Sequence, residues 1–165
     1  MIRRDLPAVI VLEAPPPGGC GPLGALDDDA GEQLALAADL PRERLLAGLD
    51  RIHLIDLPGC GIGDEPWLPD AARYNAASML QREGNNFGSC PDLRGRVVLL
   101  AGHRVLRAFA PALGLPATLP PLARVAWRDS EWVVLPRPYG RCRWSAHRAA
   151  TGEVVRAEVL RREAA

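Results

Sequence analysis

The sequence predicts an α/β fold: a three-layer α/β/α sandwich around a central, mostly parallel four-stranded sheet, forming one domain over residues 1–165. Three observations predict it. Four short apolar runs lack polar alternation, the pattern of strands buried on both faces. Segments of helical composition separate them, so strands and helices alternate along the chain. Pro and Gly cluster after the runs, where they end pairing and open loops.

The first run, Ala8-Val9-Ile10-Val11-Leu12, is β-branched-rich and is broken by Glu13-Ala14-Pro15-Pro16-Pro17-Gly18-Gly19. A helix is expected near Gly31 to Leu40, and a short one from Pro41 to Leu49, where Pro suits the first turn. Arg51 to Leu57 reads as the second strand, stopped by Pro58-Gly59. Pro69 opens a helix through about Gln81, and Gly84 to Pro91 reads as a loop. Arg96 to Ala101 is the third strand, with a helix from Gly102-His103 to about Phe109 and a loop over Pro111 to Pro121. Glu131 to Leu135 is the last strand, and a terminal helix is expected from about Gly152 to Arg162.

A parallel sheet places its ligands at the carboxyl ends of its strands. Three loops of unusual composition leave such ends: Glu13 to Gly21, Leu57 to Gly63 and Pro136 to Trp144. In the expected topology they share one rim.

Composition narrows the function classes. Hydrophobic residues make up 48% and charged residues 24%, as in globular rather than disordered chains. The apolar runs fall far short of the ~20 residues of a membrane span, and the N-terminus lacks a signal-peptide pattern. A cytoplasmic monomer without membrane contact is the expectation. Cys20, Cys60, Cys90 and Cys142 are widely spaced, so neither a metal site nor a cofactor is expected. All 20 basic residues other than His are Arg, and the charge is uneven. Residues 1–93 carry 7 Arg against 15 acids, a balance of −8, whereas residues 94–165 carry 13 Arg against 5, a balance of +8. The missing Lys fits a G+C-rich genome; the asymmetry points to a face that meets a polyanion.

Several segments resemble motifs of the uracil-DNA glycosylase superfamily. Val133-Val134-Leu135-Pro136-Arg137-Pro138-Tyr139-Gly140-Arg141-Cys142-Arg143-Trp144 is similar to its second motif, a strand leading into H-P-S-G and a basic-aromatic stretch. Val97 to Phe109 resembles the strand, glycine and helix that precede that motif. Leu12-Glu13-Ala14-Pro15-Pro16 looks like the G-E-x-P-G form of the first motif, and Ile52-His53-Leu54 falls where the family has a strand ending in Asn. Leu12, His53 and Arg137 replace the family's Gly, Asn and His, and the cysteine pair of its iron–sulfur branch is absent.

The resemblance implies hydrolysis of an N-glycosidic bond in DNA, single- or double-stranded, releasing a uracil-like or modified base. Such a reaction needs an acid to hold water, fixed donors at the leaving base, and a base already outside the stack. Glu13 would position the water, and Arg137 would stabilise the anionic base without donating a proton. Ala14, Pro15, His53 and Phe87 would contact the base; Tyr139, Arg141, Arg143 and Trp144 would press on the strand.

Plainer readings stand beside these: Glu13 as a loop-anchoring acceptor, His53 as a core histidine, Arg137 as a solvated cation, and Trp144 or Tyr139 as caps on the core. Two other functions stay open. One is a binding module of the same fold that has lost catalysis. The other is an enzyme acting on a free nucleotide or nucleoside.

Overall fold

The computed structural model describes residues 1–3, 5–14, 26, 29–55, 67–81, 91–138 and 141–164, with backbone alone at 141–143. The described chain is an α/β protein whose sheet has the order β2-β1-β3-β5-β4. Its elements are β1 (Ala8–Leu12), α1 (Asp29–Ala38), α2 (Arg42–Gly48), β2 (Leu49–His53), α3 (Pro69–Gln81), β3 (Val97–Ala101), α4 (His103–Leu113), β4 (Arg124–Trp127), β5 (Ser130–Leu135) and α5 (Arg141–Glu163). β2, β1, β3 and β5 run parallel, and β4 joins β5 antiparallel at the edge.

Side chains alternate across each strand, so the sheet divides the core in two. Ala8, Ile10 and Leu12 of β1, with Leu99 and Val133, pack against α1, α2 and α5. Val9 and Val11, with Val98, Leu100 and Trp132, pack against α3 and α4. This double burial explains the unbroken apolar runs.

Four elements differ from expectation. β4 is a fifth strand that the sequence hid: it is only four residues long and half-exposed, and its turn to β5 carries Arg128-Asp129 rather than a glycine. β2 runs from Leu49 to His53 rather than from Arg51 to Leu57, so the expected α2 ends one residue sooner. α4 runs past Pro111 to Leu113, where Gly114 closes it in the left-handed conformation (φ 66°) and the Leu115 amide donates to the Ala110 carbonyl at 2.9 Å. α5 begins at Arg141 rather than near Gly152, shortening the loop after β5. Gly152 does not mark a boundary because it lies where α5 crosses α1; an added Cβ would stand 1.8 Å from the Ala37 carbonyl oxygen.

The amino ends of the strands are laced together by one buried arginine. Arg96 is 5% exposed. Its Nε donates to the Pro7 carbonyl at 2.8 Å and its Nη1 to the Asp92 carbonyl at 3.2 Å, while Nη2 meets the Asp50 carboxylate. The guanidinium thus joins the segments before β1 and β3 to β2. Ser130 adds a neighbouring link, accepting from the Gly95 amide and donating to the Leu93 carbonyl, both at 3.0 Å. Replacing Arg96 by Leu removes the donor to the Pro7 and Asp92 carbonyls and the partner of Asp50, and is expected to cost about 2–4 kcal/mol in denaturant unfolding.

No described helix is long and apolar enough to cross a membrane.

Candidate functional site at the carboxyl rim of the sheet

The path of the chain divides at the middle of the sheet. The connection after β1 leaves through α1 and α2 on one face, whereas the connection after β3 leaves through α4 on the other. β1 and β3 are neighbours. Their loops therefore diverge at the carboxyl ends, the arrangement that opens a ligand crevice in such sheets.

Glu13 follows β1 directly and is 2% exposed. Gly102 follows β3, and its amide donates to the Leu135 carbonyl at 2.9 Å, drawing the ends of β3 and β5 together. Its φ of +108° is open to glycine, and an added Cβ would come within 3.1 Å of Glu13 Oε1 and 3.5 Å of Arg137 Cβ. The small residue lets three strand ends converge.

Two guanidiniums meet the acid there. Arg137, after β5, brings Nη2 to 3.5 Å from Glu13 Oε2, and Arg104, in the first turn of α4, brings Nη1 to 3.6 Å. These are ion-pair distances, longer than a strong charge-assisted hydrogen bond. Neither Glu13 oxygen receives a short hydrogen bond among the described residues; the guanidiniums of Arg104 and Arg137 are its polar neighbours there. Burial pushes the Glu13 carboxyl above its ordinary value, while the positive charges of Arg137 and Arg104 oppose that shift. A buried acid held at the ends of parallel strands between two guanidiniums is an arrangement in which a reactive carboxylate can be kept.

His53 closes β2 opposite Leu12 in the register and is 8% exposed. The ladder continues beyond it, the Leu54 amide donating to Leu12 and the Ile55 amide to the Glu13 carbonyl, at 2.8 and 3.0 Å. Asn75 of α3 fixes this corner by donating from Nδ2 to the Leu54 carbonyl at 2.8 Å. Glu13, His53 and Arg137 thus lie on one rim, as the sequence predicts.

Two expected contacts are corrected. Ala14 is buried in the core on the α3 and α4 side, so its methyl group is not presented to a ligand. Trp144 is 6% exposed and packs into the opposite core, so it does not offer a ring to a nucleic-acid strand. Pro15, Phe87 and Tyr139, like Gly18, Gly19, Gly21, Cys20, Cys60 and Cys90, lie outside the described residues; Arg141, Cys142 and Arg143 open α5, with side chains outside the description.

The basic half is also less available than its net charge suggests. Arg96 pairs with Asp50, Arg104 and Arg137 with Glu13, and Arg156 with Asp39, each an acid of the other half. Part of the asymmetry is internal neutralisation.

Arg104 is the site residue missed in the sequence. Its signal is position: two residues beyond Gly102, it lies in the first turn of a helix at the same rim as Glu13. Among the described residues, no group of three or more His, Cys, Asp or Glu is arranged to hold a metal ion. No protein-family model matches the chain, and no curated protein matches it.

Proposed function

We propose that the protein hydrolyses the N-glycosidic bond of a uracil-like or modified base in DNA, with Glu13 and Arg137 at the reacting centre. The observation that carries this reading is the buried Glu13 carboxylate, flanked by two guanidiniums at the carboxyl ends of the strands.

The chemistry follows from charge. As the base–sugar bond stretches, positive charge grows on the sugar and negative charge on the base. Ionised Glu13 accepts a proton from the attacking water and favours the cationic sugar; the water oxygen bonds to the anomeric carbon. The bonding pair leaves with the base, whose carbonyl oxygen faces the permanent charge of Arg137. Solvent then protonates the departed base. Arg104 acts on Glu13, favouring its ionised form against the effect of burial and fixing its position. His53, at the end of β2, is placed to meet a base edge.

The test is incubation with single- and double-stranded DNA carrying uracil, deaminated purines or modified pyrimidines, followed by hot alkali. Strand breaks at one class of base are expected, and Arg137→Ala is expected to reduce them by about 10²-fold or more. A panel without breaks overturns the proposal.

A further inference from the structure

Beside the rim, α4 is bordered by two grooves that share His103 and Arg107. The larger, of about 610 Å³, lies between α4, the segment 117–121 and α5. Arg107 supplies a permanent charge to its lining and His103 and His147 supply imidazole rings, while Leu106, Leu119 and Pro120 supply apolar surface. The smaller, of about 320 Å³, contains Trp67 and Arg104. Arg104 lies 5.6 Å from the centre of the Trp67 ring while its guanidinium also meets Glu13, so this groove adjoins the acid.

The grooves have a consistent chemistry. No acid lines either one among the described residues. Arg107 is exposed and enters no ion pair among them, unlike Arg104 and Arg137. The start of α4 adds the partial positive charge of a helix N-terminus. A guanidinium and imidazole N–H donors on one wall and flat apolar surface on another suit a phosphate bearing a planar ring, and the larger volume falls within the roughly 300–1,000 Å³ of small-molecule sites.

We propose that the larger groove binds a nucleotide unit next to the one at the rim, its phosphate on Arg107, His103 and His147 and its base against Leu106, Leu119 and Pro120. The assignment to a neighbouring unit of the same strand rests on the glycosylase reading; a free nucleotide has the same chemistry.

The experiment measures binding of a fluorescein-labelled oligothymidylate of about 12 nucleotides to the full chain by anisotropy, across a salt series, with thymidine 5′-monophosphate as competitor. Arg107→Ala and the double variant Arg107→Ala/His147→Ala are compared with wild type. Arg156→Ala, which removes the same charge beside α1, is the control. Arg107→Ala is expected to weaken oligonucleotide binding about tenfold and to reduce the salt slope by roughly 0.7, with Arg156→Ala unchanged. Equal oligonucleotide and monophosphate binding by wild type and both groove variants overturns the groove. Arg107-dependent binding in which the monophosphate matches the oligonucleotide overturns the strand assignment and makes this a free-nucleotide site. Base release is measured on the same proteins: Arg107-dependent binding without release retains the groove and overturns the glycosylase reading, whereas release with unchanged binding in the variants does the reverse.

Discussion

Glu13→Gln is expected to lower base release by about 10²- to 10⁴-fold while leaving the melting temperature at neutral pH at or above that of wild type. Glutamine keeps the shape of the side chain and removes its charge. Burial raises the folded-state pKa of Glu13 above its ordinary 4.5. The sign of the linkage follows: its stabilising contribution is fully present below the unfolded value and is lost as pH rises through the folded one. The variant's advantage in melting temperature therefore grows as pH rises above 4.5 and levels off above the raised pKa. The side chains of Arg104 and Arg137, 33% and 31% exposed, can turn to solvent when the acid is neutralised. Activity has the opposite trend in wild type, rising with pH as Glu13 ionises. Single-turnover cleavage and thermal melts over the same pH series check both. A variant that keeps its rate and melts well below wild type would make Glu13 a structural residue only.

Gly152→Val is expected to be the most destabilising change outside the rim, costing about 3 kcal/mol or more and lowering the melting temperature by roughly 6–12 °C. The obstacle is backbone. A Cβ at this position meets the Ala37 carbonyl oxygen at 1.8 Å, its carbon at 2.3 Å and the Ala38 amide nitrogen at 2.9 Å. No rotamer relieves such contacts, so α5 must withdraw from α1. That withdrawal opens the core around Leu34, Val155 and Val159 and pulls on the Arg156–Asp39 ion pair. Differential scanning calorimetry measures the loss. A melting temperature within a degree or two of wild type would mean that the two helices do not cross so closely.

The contrast between Gly152 and β1 shows what could be read in the sequence. β1 was visible because both its faces are buried, leaving a pure apolar run of matching length. β4 was not, because an edge strand with one partner needs little hydrophobic sequence. Gly152 looked like a helix start because its lack of a side chain has local and tertiary explanations that the sequence alone does not separate. At the rim, Glu13 and Arg137 were legible because each directly follows a parallel strand, so topology brings them together. Arg104 was hidden among many arginines. The core fate of Trp144 was hidden as well, since an aromatic beside basic residues reads equally as a stacking surface or an anchor.

Arg96 secures the opposite end of the sheet, at Pro7, Asp50 and Asp92. The bonds that fasten the strands and the groups proposed to do chemistry are therefore separated by the length of those strands. Substitutions at the rim can accumulate without loosening the fastening, giving this scaffold latitude to exchange one reactive side chain for another and still fold.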